Sequence, residues 1–486
     1  MVAIDAAGAD SESGRQPHDA ADSRSRNPAP EARHWQPVQM FRRLGWGVAD
    51  QAVSSITNFA VNIYIAHYLH PASEYGAFAL AYVTYGFILQ VSRGLATDPL
   101  LVRFSGTDVR TWRRAVANCS GTAAVVGVSA SACVLCAAVV LGGAPRMAFL
   151  ALGLTLPGLM LQDSWRFAFF ALGRGSQAFI NDLVWAVALI PALMWLRANG
   201  HATVFWFVLA WGAAAALGAA VGPLQARVVP RLSGARSWLF QQRDLGLRYV
   251  MEGSVGAASG QLRNYGIAII LTLTTVGYVQ AANTLMGPFQ VVLFGMGLVA
   301  LPEASRVLRR SARQMKVFCI LLTLGLTLAG LAWGVVLLIA LPRGLGSGLL
   351  GPIWRPTYPL VLPTTLFVMG GCASAGAGTY MHALGAARRS MRAAVLTSAL
   401  TVVLGLAGAA TLGAAGTIEG AAVAAWTGAL LYQWQLHIAL RESAATTDNA
   451  PATPRRLAGR HRRDADGARL ENQVVPDASL SGESAG

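Results

Sequence analysis

About twelve apolar blocks, most of roughly twenty residues or more, run through this sequence and limit what it can fold into. A helix needs roughly 20 apolar residues to cross a hydrocarbon core about 30 Å thick, and no soluble fold requires so many such runs. The blocks lie near 44–69, 76–97, 115–142, 146–172, 177–197 and 202–226. After a polar stretch they resume near 248–273, 276–302, 316–342, 356–385, 390–413 and 417–440. Only 13% of the 486 residues are charged, against about 25% in soluble domains. The expected fold is all-α: a polytopic membrane protein of about 12 transmembrane helices in two repeated six-helix lobes. The lobes are expected at 44–226 and 248–440, with a cytoplasmic linker at 227–247 and polar, disordered cytoplasmic tails at 1–43 and 441–486. The first tail contains no apolar segment of the kind that marks a signal peptide.

The basic residues orient these blocks. With the first tail in the cytoplasm, the inner loops receive Arg103, Arg110, Arg113, Arg114, Arg174, the Arg residues of 227–248, those of 306–313 with Lys316, and Arg388, Arg389 and Arg392. The outer side keeps only Arg146, Arg197, Arg343 and Arg355. That asymmetry fits one orientation, with both termini inside a cell membrane, and contradicts the other. The net charge of +15 does not mark a nucleic-acid partner, because the arginines are spread over short loops and tails rather than one compact face. A basic cluster from Arg455 to Arg463 reads first as a topology signal, with contact to anionic membrane lipids as a second reading.

The two halves align on each other. Asp50, Val53, Asn62, Ala66 and Leu69 match Glu252, Val255, Asn264, Ala268 and Leu271. Gly94-Leu95, Pro99 and Arg103 match Gly297-Leu298, Pro302 and Arg306. Leu156-Pro157 and Ala171-Leu172-Gly173 match Leu362-Pro363 and Ala383-Leu384-Gly385, with a short insertion in the second copy. Six helices separate the copies, so both begin on the same side, and their pseudo-twofold axis runs along the membrane normal.

Charges at membrane depth cost roughly 2.5–3.5 kcal/mol each on insertion scales, so each needs a reason. Arg263 stands about 15 residues into the seventh span, roughly 22 Å along it, beyond easy reach of the inner face. It either projects into a watery space between lobes or caps carbonyls inside the bundle. Glu252, Gly256 and Ser259 fall near its face, and Asp50, Ser54, Thr57 and Tyr64 form the equivalent stripe on the first span. Asp163 and Arg166 are three residues apart and share a helix face, so they are expected to pair, with Asp182 closing the cluster. The equivalent positions of the second half carry no charge, which favours a structural pair within one lobe. Arg93 lies near Asp98 and is placed either on the cavity or at the inner boundary.

The sequence shows no nucleotide-binding glycine loop, nucleophile elbow or metal triad. We therefore expect no catalytic residue, no metal and no cofactor. The cysteines, Cys133-x-x-Cys136 included, lie in apolar segments and read as small apolar filler rather than a metal or redox pair. The outer segments are short, which weakens a reading as a lipid-modifying enzyme.

Several runs carry a family resemblance over about 44–440: Glu74-Tyr75-Gly76-Ala77-Phe78-Ala79-Leu80, Arg93-Gly94-Leu95 with Asp98-Pro99-Leu100-Leu101-Val102-Arg103, and Gln162-Asp163 with Arg166-Phe167, Gly173-Arg174 and Asp182. With the duplicated layout, they resemble the lipid-linked oligosaccharide (polysaccharide) flippase branch of the multidrug/oligosaccharidyl-lipid/polysaccharide exporter superfamily. The resemblance implies two lobes around a cavity that opens alternately to each side. The implied cargo is a polyprenyl-pyrophosphate-linked glycan passed to the outer leaflet, with other polysaccharide-assembly proteins as possible partners. Arg263, Arg93 and Arg103 would then bind the anionic head group, since Arg offers fixed charge and paired donors. Asp50 and Glu252 would take H+ or Na+. Two rivals stand beside this reading. One is an ion-coupled drug or cation antiporter of the same superfamily, whose cavity should favour acids; the other is a non-transporting membrane scaffold.

Overall fold

The computed structural model describes residues 37–448, and the tails expected outside this range lie for most of their length outside the described residues. The compact unit begins at Arg43; of the residues before it, only 37–42 are described.

Among the described residues the chain is helical throughout, with no strand. The first half contains α1 (Pro37–Tyr68), α2 (Ala72–Ser92), α3 (Asp98–Phe104), α4 (Val109–Val140), α5 (Gly143–Ala171), α6 (Gly175–Ala198) and α7 (Val204–Ala226). A π-helical turn, Arg93–Thr97, joins α2 to α3 without a break, so these elements form one span. The second half contains α8 (Ala235–Ile270), α9 (Leu273–Leu285), α10 (Gly287–Arg310), α11 (Ala312–Ala340), α12 (Gly346–Leu350), α13 (Trp354–Ala383) and α14 (Ala387–Asp448). Bilayer-spanning backbone must satisfy its own hydrogen bonds, which is why apolar runs of this length become helices.

Seven helical stretches are long and apolar enough to cross a membrane. Two of them are double. Ala312–Ala383 contains both α11 and α13. α14 folds back at Gly413, whose φ of 68° and ψ of −142° are open to glycine and strained for other residues. Its arms pack so closely that a Cβ on Gly428 would meet Thr397, and one on Gly420 the Leu404 carbonyl. α1, α8 and α10, which carry more polar residues, and the short α9 fall outside this set. The chain is a multi-pass membrane protein.

The repeat is visible in how helices end. At α5, the amides of Gly173 and Arg174 donate to Phe170 O and Phe169 O, at 2.9 Å each. At α13, the amides of Gly385 and Ala386 donate to His382 O and Met381 O, at 3.1 and 2.9 Å. Both glycines adopt positive φ, 75° and 74°, the conformation that closes a helix C-terminus. Packing repeats as well: α4 lies on α5 as α11 lies on α13, and α6 pairs with α7 as the two arms of α14 pair.

The segment expected as a plain linker is mostly helix. From Ala235 it is continuous with α8, and it is docked on the first half. Arg231 N donates to Ala117 O at 2.7 Å, and Trp238 Nε1 to Leu95 O at 3.2 Å. Trp238 is buried and stacks on Phe104. Between the bundles, α2 packs on α8 and α9. A Cβ on Gly76 would collide with the Leu273 carbonyl, and one on Gly277 would lie 3.0 Å from Ala72 O. Near the same end of the bundles, His67 Nδ1 lies 3.3 Å from Leu349 O.

Candidate functional site

The first lobe gathers its deep charges into one network. Arg93 holds Asp163 with both arms, Nε to Oδ2 at 3.0 Å and Nη2 to Oδ1 at 2.6 Å, and it lies 4.9 Å over the Phe167 ring. Arg166 donates from Nε to Asp50 Oδ2 at 2.6 Å and from Nη2 to Gln51 Oε1 at 3.1 Å. Its Nε also lies 3.4 Å from Asp182 Oδ2. Gln162 Nε2 donates to Asp182 Oδ1 at 2.9 Å. Four spans therefore meet through α1, the end of α2, α5 and α6.

This corrects the expected pairing of Asp163 with Arg166. Residues three apart on a helix share a broad face, but here the two side chains diverge: Asp163 turns to Arg93, and Arg166 to α1 and α6. Asp182 does join the cluster as expected. Arg93 serves an acid of its own lobe rather than Asp98 alone.

The network borders a cavity of about 150 Å³ lined by Arg93, Asp163, Arg166, Asp182, Ser54 and Asn58. Tyr82, Tyr85 and Trp211 form its aromatic wall, with Tyr85 and Trp211 edge to face at 4.7 Å. These aromatics were not singled out from the sequence; the spacing of Tyr75, Phe78, Tyr82 and Tyr85 at three and four residues, one face of α2, was the available signal. Among the described residues, Asp50, Asp163 and Asp182 form their ion pairs with Arg93 and Arg166, three carboxylates on two guanidinium groups, and Arg93 also lies in the field of Asp98. Asp50 is fully buried, and its Oδ1 has no hydrogen-bond partner. Burying a carboxylate oxygen without a donor is expensive, even where the other oxygen is paired. These three acids and two guanidinium groups leave at least one negative charge for a proton or a monovalent cation to balance.

The second lobe carries the opposite surplus. Arg263 is 6% exposed, and its Cζ lies 5.2 Å from the centre of the Phe367 ring on α13. Its Cδ packs against Gly405 on α14, where a Cβ would be 3.0 Å away. No carboxylate pairs with it among the described residues, and its Nε has no hydrogen-bond partner. The expected projection into the space between lobes is corrected by these contacts: Arg263 is turned into its own bundle. Gln261 and Tyr265, on the opposite side of α8 at about 100° per residue, are the residues that meet the first lobe. Gln261 Nε2 donates to Thr84 Oγ1 at 2.8 Å, and the Tyr265 hydroxyl lies 2.8 Å from the same atom.

Arg103 is not in a cavity. Its Nη1 donates to Gln242 Oε1 at 2.7 Å and Gln241 O at 3.1 Å, and its Nη2 pairs with Asp244 at 2.6 Å. It ties α3 to the docked start of α8. The Glu252 side chain lies outside the described residues. Cys133 and Cys136 are both free and exposed on α4.

This arrangement of helices is that of known membrane exporters and flippases. The inward-facing conformation of a multidrug resistance MATE family transporter of the MOP superfamily superposes with a TM-score of 0.67, at 14% identity, over 82% of this chain and 96% of the other. The lipid II flippase MurJ in its inward closed conformation superposes with a TM-score of 0.64, at 12% identity, over 81% of this chain and 87% of the other. An outward-facing conformation of a MATE family transporter gives 0.55 at 13% identity, over 83% and 96%. No protein-family model matches the sequence, and neither does any characterised protein by sequence comparison.

Proposed function

We propose that this chain is an alternating-access flippase that moves a polyprenyl-pyrophosphate-linked oligosaccharide from the cytoplasmic to the outer leaflet, for surface polysaccharide assembly. The observation that carries this reading is Arg263, a buried guanidinium with no acid to neutralise it among the described residues. A permanent cation at membrane depth is costly, and an anionic cargo group entering the second lobe would repay it with paired hydrogen bonds. Arg93 and Arg103 are occupied by Asp163 and Asp244, which leaves Arg263 as the head-group residue. The first-lobe cluster supplies the coupling site, binding H+ or Na+ at Asp50 and Asp182. The larger TM-score to the inward-facing than to the outward-facing transporter supports a cytoplasm-accessible resting state.

An Arg263→Ala chain, inserted at normal levels, is expected to lose at least about tenfold in glycan export, the weight of one charged hydrogen-bonded contact. Arg263→Lys should retain part of it, keeping the charge but not the two-armed geometry. Unchanged export by the alanine chain would remove Arg263 from the mechanism.

The surplus acid of the first lobe favours a second reading, an antiporter exporting organic cations. Deleting the gene separates the two: the flippase reading expects lost surface glycan, and the antiporter reading expects dye sensitivity with glycan intact.

A further inference from the structure

A second cavity, sharing no lining residue with the first, opens at the Arg-rich end of the first lobe. Its volume is about 420 Å³, within the range of small-ligand sites. Three separate segments converge on it. The start of α4 brings Arg113, the turn before α6 brings Arg174 and Gln177, and the end of α7 brings Gln225 and Arg227. No acid lines it, and none of the three arginines forms an ion pair among the described residues. Arg227 is the only described residue other than glycine at positive φ, 52°, where the chain turns back at the end of α7. The α6 N-terminus opens onto the same space with no side-chain cap, adding partial positive charge. The α7 C-terminus adds roughly half a negative charge, against three full positive ones.

The polar side chains here are incompletely used. Gln177 Oε1 is buried without a hydrogen-bond donor. Gln225 Oε1 accepts from Asn181 Nδ2 at 3.2 Å, which leaves its amide nitrogen free to donate. Beside the opening, Leu224 is 78% exposed, and Leu217, seven residues earlier on the same face of α7, is 55% exposed. That face meets acyl chains in a membrane.

We propose that this cavity binds a phosphate-bearing polyol, presented as the head group of an anionic phospholipid of the Arg-rich leaflet. The phosphate sits among Arg113, Arg174 and Arg227. A hydroxyl of the head group donates to Gln177 Oε1, and the acyl chains run along Leu224 and Leu217. Scattered topology arginines explain a basic rim. They do not explain a three-sided cavity whose one orphaned atom is an acceptor.

The test uses the full chain purified in detergent, titrated by native mass spectrometry with phosphatidylglycerol, phosphatidylmethanol and phosphatidylcholine, and separately with glycerol 3-phosphate. Phosphatidylglycerol should bind best, and Arg113→Gln, Arg174→Gln and Arg227→Gln should each weaken it about tenfold. Arg197→Gln, at the other end, should not. Gln177→Leu should erase the preference for phosphatidylglycerol over phosphatidylmethanol, a readout that damage to the fold does not mimic. If glycerol 3-phosphate binds as tightly as the lipid and responds to the same substitutions, the site stands and its source is soluble phosphate. If the triple Arg→Gln chain binds every probe as the parent does, the site is overturned.

Discussion

A chain carrying Arg166→Met is expected to lose roughly 3–5 kcal/mol of stability, the cost of removing one partner from a buried ionic network. The reason is local. Arg166 is the cation facing both Asp50 and Asp182, which are respectively fully and 98% buried. Without it, Asp182 keeps the neutral donor Gln162, and Asp50 has no other hydrogen-bond donor among the described residues. Both must then protonate or draw water into the bundle. Restoring neutrality should restore the fold: Arg166→Met with Asp50→Asn and Asp182→Asn is expected to regain most of the loss, because a neutral, well-packed replacement for a buried pair is often tolerated. Thermal unfolding of purified protein, single against triple substitution, reads this directly. A single Arg166→Met chain as stable as the parent would show that these charges are solvated, and the argument for a cation-coupling cluster would go with it.

Gly76→Val should act on the other end of the molecule and nearly abolish transport. At Gly76 even a Cβ runs into the Leu273 backbone carbonyl, so no side-chain rotation relieves the clash. Overpacking of a close-packed site costs typically 1–3 kcal/mol, and here the strain falls on a contact between the two bundles. The closed contact at this end should therefore open. A cysteine at His67, beside Leu349, should become more reactive towards a membrane-impermeant thiol reagent in the Gly76→Val chain. Gly76→Ala should show the same change in smaller measure. Transport and labelling both unchanged would mean that this seam is not part of the moving interface.

The spans were legible in the sequence because length and apolarity are local properties; every expected block corresponds to helix. The repeat was legible too, since a glycine needed to end α5 and α13 leaves the same letters, Ala-Leu-Gly, in each copy. Partners were not. The spacing of Asp163 and Arg166 says that they share a face, but Arg93 lies 70 residues away in sequence and wins Asp163 through two hydrogen bonds. Arg263 shows the same limit. Helical periodicity separates it from Gln261, yet nothing in α8 itself says which of the two sides meets the first lobe. Thr84, Phe367 and Gly405 decide that, and they come from other helices.

The docking of the linker gives α8 a mechanical character. Its first turns are clamped to the first bundle through Trp238 and Asp244, and Gln261 and Tyr265 grip Thr84 of that bundle again beside Arg263, which is wedged in the second. In the proposed transport cycle, two bodies sharing one rod would load it like a leaf spring. The bending falls on the stretch between the grips, where Gly253, Gly256 and Gly260 follow one another, the last two with nothing within 4 Å of where a Cβ would stand. A helix thinned in this way yields at low cost. In the proposed alternating-access cycle, this glycine-bearing stretch is where α8 would bend.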